Sequence, residues 1–160
     1  MSLPQRKVIR IPDYDYSTNG AYFITICTHN RVNLFGNIGS NTLSKQLIIS
    51  CFEETIAAFP NVSCPKYVVM PNHLHAIIMI DQLGKNESVS LERIIQRFKS
   101  KSAVSYIQNV KTGKLPPFHE KIWQRSFYDH IIRNEQDYLE VWQYIDNNPL
   151  KWQLDELFEP

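Results

Sequence analysis

The sequence predicts an α+β domain, a ferredoxin-like (βαββαβ) antiparallel sheet followed by an additional C-terminal helix. First, β-branched and aromatic runs alternate with helical periodicity in the order strand, helix, strand, strand, helix, strand, helix. Second, Pro71 and Asn72 alone join two apolar runs, a connection so short that those strands should pair antiparallel. In such a unit both crossover helices cover one face of the sheet, so we expect the last helix on the other face.

The first half of the chain supplies three of the strands. Residues 21–28 are β-branched and aromatic, which predicts the first strand. Residues 42–59 carry apolar side chains at helical spacing, with Asn41 as a plausible N-cap and Pro60 as the stop. Residues 66–70 and 73–81 then predict the second and third strands.

The second half adds two helices and one strand. Residues 91–108 predict a helix and residues 122–133 a fourth strand. Asn134 is the expected N-cap of the last helix, which Pro149 ends. The side chains of the second helix that we expect to face the core are Leu91, Ile94, Ile95, Phe98, Ala103, Tyr106 and Ile107.

Length and composition predict one domain. We expect it to span residues 21–152, after a basic arm at 1–20 and before a short tail at 153–160. No apolar run is long enough to cross a membrane, and the N-terminus has no signal-peptide core. The three cysteines lack CxxC spacing, which indicates a reducing compartment and a cytoplasmic protein. The net charge of +1 neither indicates nor excludes a nucleic-acid partner.

Two histidines flank Leu74 in the predicted third strand. Side chains two residues apart on a strand share a face, so His73 and His75 should project together. Two adjacent imidazoles on a rigid strand make half of a divalent-metal site. The alternative is two polar residues on a half-wet strand, and the pair alone leaves both interpretations open.

The last helix adds a phenol and an amide. Tyr138, Trp142 and Ile145 follow the spacing of a buried face. Tyr144 and Asn148 are four residues apart, so they lie on one stripe at the edge of that face. A tyrosine hydroxyl there suits attack on a phosphodiester, and the amide oxygen suits a hard cation. The alternative is that Tyr144 is a core or boundary tyrosine.

Four segments resemble one known family. They are VVMPNHLHAII at 68–78, IWQRSFYDHIIRN at 122–134, WQYIDNNP at 142–149, and IRIPDYDYSTNGAYFITICTHNR at 9–31. Together they resemble the REP-associated tyrosine transposases, within the single-tyrosine HUH (IS200-like) transposase family. The resemblance covers roughly residues 6 to 152, nearly the whole chain. The His-Leu-His motif is a weak signal alone and a specific one beside the other three segments.

The resemblance implies a metal-dependent single-stranded DNA endonuclease and strand transferase. Such enzymes cut at hairpin-associated sites through a 5′-phosphotyrosine intermediate. It assigns His73 and His75 as ligands of Mg²⁺ or Mn²⁺, with Asn148 as the third ligand where other branches use Gln. Tyr144 is the implied nucleophile. Tyr138 is a competing candidate that does not match the family motif.

His130 and the basic residues carry further expectations. His130 matches a recurrent family position, either as a neighbour of the site or as a structural histidine. Arginines and lysines combined with aromatic rings favour single-strand binding, although each alone is more often a solvated charge. The candidate DNA contacts are Arg6, Lys7 and Arg10 in the arm, Arg93, Arg97, Lys99 and Lys101 on the second helix, and Lys121, Arg125 and Arg133 around the fourth strand, with Trp123 and Tyr128 for stacking.

Two other function classes stay open at this point. A non-catalytic nucleic-acid-binding module could use the same fold, although a pure binder would not need the two histidines, Tyr144 and Asn148 together. A metal-dependent hydrolase would activate water at the histidines and leave Tyr144 structural. The expected partner is single-stranded or hairpin DNA, with no membrane, for a monomer or a homodimer.

Overall fold

The computed structural model describes residues 20–81, 89–154 and 157–158. The predicted arm residues Arg6, Lys7 and Arg10 lie outside them. The order of elements in the described part is the predicted one. The strands and helices are β1 (Gly20–Cys27), α1 (Leu43–Ala57), β2 (Val62–Met70), β3 (His73–Ile80), α2 (Leu91–Lys111), β4 (Tyr128–Ile132) and α3 (Glu135–Asn147), with short 3₁₀ turns at His29–Arg31 and Pro149–Leu154.

The four strands form one sheet in the order β2-β3-β1-β4. Every neighbouring pair is antiparallel, which is the ferredoxin-like arrangement. The two-residue connection between β2 and β3 sets their register, so that Met70 lies opposite His73. The predicted fold class is therefore confirmed.

One face of the sheet carries the larger core. Side chains alternate along a strand, so the even-numbered residues of β1 and β3 all point to this face. Helices α1 and α2 pack against each other and cover it. The buried side chains that fill it include Tyr22, Ile24, Ile26, Ile48, Phe52, Leu74, Ile78, Ile94, Phe98 and Tyr106.

The opposite face carries a smaller core beneath α3. Phe23 and Ile77 on the sheet pack with Val141 and Ile145 on α3. The last helix therefore lies over the face that carries the two histidines, as the sequence predicted.

The buried stripe of α3 differs from the predicted one. Val141 is fully buried, whereas Tyr138 and Trp142 are only half-buried and pack against each other, with ring centroids 6.0 Å apart. The ammonium of Lys66 lies 5.0 Å from the Trp142 ring centroid, at the edge of the sheet. The helix is thus rotated so that Val141 and Ile145 meet the sheet and the two larger rings flank it.

Smaller differences concern the helix caps and the burial of one side chain. The N-cap of α1 is Thr42 and not Asn41, because the Thr42 side chain accepts a hydrogen bond from the Lys45 amide. Ile107 is 38 % exposed, so its predicted core position is wrong. The predicted cap of α3 is confirmed, since the Asn134 side chain accepts from the Asp137 amide.

The strand boundaries also differ. β2 begins at Val62, four residues before the predicted start at Lys66. A register shift between Ser63 and Lys66 interrupts the alternation of side chains there, so the first residues of the strand do not show a strand pattern. β4 contains only Tyr128–Ile132, and Trp123 forms an isolated bridge with Thr28 instead. None of the helices in the described residues combines the length and the apolar character needed to cross a membrane.

Candidate active site

His73 and His75 lie side by side on β3, and both are fully buried. Their Nε2 atoms are 3.0 Å apart, and their ring centroids are 4.5 Å apart. Two ligand atoms at right angles, each about 2.1 Å from one cation, would themselves be about 3.0 Å apart. The spacing therefore fits either a hydrogen bond between the rings or shared coordination of one ion.

The other ring nitrogen of each histidine has a hydrogen-bond partner. His73 Nδ1 lies 2.7 Å from Asn72 Oδ1, and His75 Nδ1 lies 2.8 Å from the Thr25 hydroxyl. Partners of this kind orient a histidine and leave its Nε2 directed at a ligand. The site is thus built by β3, its neighbour β1 and the β2–β3 connection.

Tyr144 contacts this histidine pair from α3. Its ring centroid is 5.4 Å from that of His75, at an interplanar angle of 66°. Phe23 contacts both, stacked on His75 at 5.3 Å and edge-on to Tyr144 at 5.8 Å. The Tyr144 hydroxyl oxygen is buried. The competing candidate Tyr138 packs against Trp142 instead.

Asn148 follows Tyr144 by one helical turn, as the C-cap of α3. Its side-chain oxygen is buried and accepts no hydrogen bond from the described residues. A buried amide oxygen without a donor is costly unless something else binds it. Four residues further on, the Trp152 ring lies 5.8 Å from the His73 ring. In the sequence, Asn148 therefore lies between two residues that contact the histidines, and its unsatisfied oxygen is of the kind that suits a cation.

The described part of the chain contains no group of three or more His, Cys, Asp or Glu side chains that could hold a metal. The histidine pair supplies two nitrogen donors, and the unsatisfied Asn148 oxygen is a third donor of the kind that hard cations accept. The donor set fits a divalent ion with open coordination positions.

Two polar contacts attach α3 to the sheet. At its first turn, the Asp137 carboxylate oxygens lie 2.8 and 3.1 Å from His130 Nε2 on β4. Near its end, Asp146 forms an ion pair with Lys66 on β2 at 2.7 Å. Tyr144 lies between these contacts. Of the two roles considered for His130, the contact with Asp137 favours the structural one.

A third tyrosine occupies the same face. Tyr128 on β4 pairs with Thr25 and packs edge-on to Phe23 at 6.4 Å. Burial, together with the charge of Asp129, raises the pKa of Tyr128 to about 12. Its phenolate is therefore harder to form than that of an ordinary tyrosine, which makes it a weak nucleophile.

The basic residues of α2 lie across the sheet from the histidines. Lys99 donates hydrogen bonds to the carbonyls of residues 124–126 at 2.9–3.2 Å. Lys101 pairs with Glu54 at 2.9 Å. The guanidinium carbons of Arg93 and Arg97 lie 5.9 and 5.6 Å from the Phe59 ring centroid.

The remaining basic and aromatic candidates differ in their exposure to solvent. Arg125, Lys121 and Arg133 are exposed. Trp123 is buried, and its Nε1 donates to Ser102 Oγ at 2.9 Å. The expected stacking role of Trp123 is wrong, because its ring packs against Phe35 and Phe98 in the larger core.

Three contributors to the site were not predicted from the sequence. Thr25 is a polar residue in an otherwise apolar strand, which was a usable signal. Asn72 was interpreted only as part of a turn, and Trp152 only as the last residue of the domain. Their contacts with the histidines link segments that are distant in the sequence, and no local pattern shows such contacts.

The fold and the histidine pair beneath a tyrosine-bearing helix define a class of protein, the single-tyrosine transposase type that the sequence resembles. The family model described as "Transposase IS200 like" matches residues 16–148. Because this match spans most of the chain, the chain belongs to the IS200-like transposase family, a family of DNA-processing enzymes. The resemblance inferred from the sequence is confirmed.

Individual relatives agree with this family. A Haemophilus influenzae protein described as uncharacterized is 35% identical over 167 residues, covering 96% of this chain and 93% of the relative. A second protein from that organism, provisionally named a REP-associated tyrosine transposase, is 22% identical over 137 residues, covering 86% and 74%.

Two solved structures share the fold. One is a REP-associated tyrosine transposase bound to a REP hairpin, with a TM-score of 0.63 and 23% identity, covering 98% of this chain and 77% of that one. The other is a provisionally assigned transposase from Deinococcus radiodurans, with a TM-score of 0.54 and 17% identity, covering 86% and 95%.

Proposed function

We propose that this protein cleaves and rejoins single-stranded DNA beside a hairpin, through a covalent 5′-phosphotyrosine bond to Tyr144. One observation carries the proposal. The Tyr144 ring lies 5.4 Å from the His75 ring, and its hydroxyl oxygen is buried on the face that carries both histidines. A hairpin substrate is supported by the related transposase that was solved with a REP hairpin.

In this proposal, His73 Nε2, His75 Nε2 and the Asn148 amide oxygen would hold Mg²⁺ or Mn²⁺. When bound, the cation polarises the non-bridging oxygens of the scissile phosphate and orients it. The protein side chains do the rest. Asn72 and Thr25 orient the two imidazoles, and the contacts at both ends of α3 hold its position on the sheet.

The chemical step is a transesterification. The Tyr144 oxygen forms a bond to phosphorus as the bond from phosphorus to the 3′-oxygen of the leaving strand breaks. The phenol proton passes through solvent to that 3′-oxygen, so no further reactant is consumed. Phe23 packs on both Tyr144 and His75, and it limits the orientations of the attacking ring. The ester conserves the bond energy, and the reverse step rejoins a strand.

The proposed DNA contacts divide into two groups. Arg93, Arg97, Lys99, Lys101 and Arg125 belong to α2 and the loop it contacts, on the side of the sheet away from the histidines. We therefore assign them to the hairpin stem and not to the scissile phosphate. The arm residues Arg6, Lys7 and Arg10 remain proposed readers of the hairpin foot. Cytoplasmic location, the three-part division of the chain and a monomeric or dimeric state remain predictions.

The test is a cleavage assay with a 5′-labelled and a 3′-labelled hairpin oligonucleotide. We expect a covalent protein–DNA adduct that requires divalent metal, disappears in Tyr144→Phe and persists in Tyr138→Phe. Tyr138 is the matched control, because it is a half-buried tyrosine on the same helix. Retarded but uncut DNA would instead indicate a binding module. Cut DNA without an adduct would indicate a hydrolase, and either result contradicts the proposal.

A further inference from the structure

The Asn72 side chain joins three separate segments of the chain. It is fully buried in the connection between β2 and β3. Its Oδ1 faces His73 Nδ1 at 2.7 Å. Its Nδ2 donates to the Leu157 carbonyl at 2.5 Å and to the Arg31 carbonyl at 3.3 Å. A buried amide with partners on both ends has only one orientation that satisfies it.

That orientation determines the tautomer of His73. Because both N–H groups of the amide point at carbonyl oxygens, its oxygen is the atom that faces the imidazole. His73 Nδ1 must therefore carry the proton and donate it to Asn72 Oδ1. In neutral His73 this leaves a lone pair on Nε2, the nitrogen that faces His75.

The hydrogen-bond partner of His75 does not fix the tautomer of that histidine. The Thr25 hydroxyl beside His75 Nδ1 can rotate either to donate or to accept a hydrogen bond. In the hydrogen bond between the two rings, the proton then belongs to His75 Nε2, because His73 Nε2 carries none. The Asn72 amide thus fixes the tautomer of His73 that can bind a ligand through Nε2, whereas the Thr25 hydroxyl allows either tautomer of His75.

The backbone of the connection is held as firmly as the side chain. The Thr28 amide donates to the Asn72 carbonyl at 3.0 Å, and the Thr28 hydroxyl is shared between that carbonyl at 3.1 Å and the Val32 carbonyl at 2.8 Å. Arg31, whose carbonyl accepts from the Asn72 side chain, has a left-handed backbone with φ of 56°. A strained residue of this kind persists only where its surroundings fix it.

The tail contact brings the end of the chain to the same point. Leu157 is almost fully buried. The Trp152 ring packs between the His73 ring at 5.8 Å and the Phe158 ring at 5.2 Å. The C-terminal segment therefore contacts His73 in two ways, directly through Trp152 and, from Leu157 in the tail, indirectly through Asn72.

We propose that Asn72 is a positioning residue that fixes His73 in its Nδ1–H tautomer and ties the chain's tail to that histidine. The inference rests on the proposed function only in treating His73 Nε2 as a metal ligand. The oxygen of Asn72 serves the histidine, and its nitrogen serves the tail and the loop after β1. These two roles are separable by substitution.

The test compares Asn72→Ala with Asn72→Asp in the full chain. Aspartate keeps an acceptor for His73 but cannot donate to Leu157 or Arg31, and alanine loses both functions. Asn109→Asp is the matched control, because Asn109 is a part-buried amide that donates within α2. The readouts are the His73 tautomer from nitrogen chemical shifts, Mn²⁺ affinity without DNA, and hydrogen exchange of the tail amides.

We expect Asn72→Ala to lose the pure Nδ1–H tautomer and to bind Mn²⁺ about 10- to 100-fold more weakly. Asn72→Asp should keep the tautomer and retain Mn²⁺ affinity, while its tail amides exchange faster. If Asn72→Ala does not fold, Asn72→Asp alone decides both roles. An unchanged tautomer in Asn72→Ala, or an altered one in Asn72→Asp, would overturn the first role. Unchanged tail exchange in Asn72→Asp would overturn the second. Failure of the wild-type protein to bind Mn²⁺ would count against the metal proposal, and the tautomer would still test Asn72.

Discussion

The two faces of the sheet bury their polar groups in different ways. Beneath α1 and α2, buried hydroxyls donate to backbone carbonyls, as Thr55 does to the Cys51 carbonyl at 2.7 Å and Ser102 to the Phe98 carbonyl at 2.8 Å. Beneath α3, Thr25 is bonded to His75 of a neighbouring strand, 50 residues away in the sequence.

The difference shows where chemistry is placed in this fold. A hydroxyl that donates to a carbonyl of its own helix has that bond as soon as the helix forms. A buried network between elements holds its side chains in one geometry, but only while all its members are present. The face beneath α3 has the smaller apolar core. It is also the face on which hydrogen bonds fix the orientation of the two histidines.

The largest expected effect is on metal binding at the α3 face. Replacing a ligand should cost more than the loss of an outer partner, so His73→Ala and His75→Ala should each weaken Mn²⁺ binding more than about 100-fold. His29→Ala is the control, because His29 pairs with Glu120 near the surface. Isothermal titration measures the affinities. Equal Mn²⁺ affinity in His73→Ala would remove the distinction between the faces.

Ile77 and Ile78 allow the faces to be compared directly. They are consecutive on β3, fully buried, and directed to opposite cores. Truncation of either to alanine should lower the free energy of unfolding by about 2–5 kcal/mol. Ile77 shares its core with α3, so Ile77→Ala should also lower the cleavage rate per folded molecule by about tenfold or more.

Ile78→Ala should leave that rate unchanged. Urea unfolding and single-turnover cleavage measure the two quantities. Equal cleavage rates in the two variants would show that packing beneath α3 does not position Tyr144.

An intermediate effect, on stability, is expected for Lys99 of α2. Its ammonium donates to three carbonyls of the loop before β4, so Lys99→Met should lower the free energy of unfolding by about 1–3 kcal/mol. Arg97→Met, on the same helix but exposed, should lower it by less than about 1 kcal/mol, because it loses only the contact with the Phe59 ring. Thermal unfolding distinguishes them. Should Lys99 also contact a phosphate, the salt dependence of hairpin binding would fall by about one charge.

The smallest expected effect appears at alkaline pH and is shared by both faces. Burial raises the pKa of Tyr67, in the larger core, to about 12, with Glu53 adding to it, and burial with Asp129 raises that of Tyr128 to about 12. An unfolded tyrosine ionises near about pH 10. Between these values the folded state binds more protons, so stability should fall as pH rises from about 10 to about 12.

Tyr67→Phe and Tyr128→Phe should each remove part of that alkaline loss, which unfolding at a series of pH values measures. An alkaline slope unchanged by both substitutions would show that neither phenol titrates as expected.

The sequence was sufficient for the features that depend on local periodicity. The alternation of side chains in β3 placed His73 and His75 together, and the two-residue connection set the antiparallel pair. The helix that remained after the βαββαβ unit could only cover the free face. These predictions needed no knowledge of distant contacts.

The features that were missed depend on such contacts. Asn72 bonds to Arg31, 41 residues away, and to Leu157, 85 residues away. The rotation of α3 that buries Val141 depends on the shape of the sheet surface around Phe23. Packing against a particular surface decides these details, and the helical period of the sequence does not contain that information.

The most direct test of the central claim is to identify the residue that carries the DNA. After reaction with a hairpin oligonucleotide and Mn²⁺, the protein is digested and the nucleotide-linked peptide is sequenced by mass spectrometry. The phosphodiester chemistry proposed for the α3 face predicts the modification on Tyr144. A modification on Tyr138 or Tyr128, or cleaved DNA with no linked peptide, would contradict it.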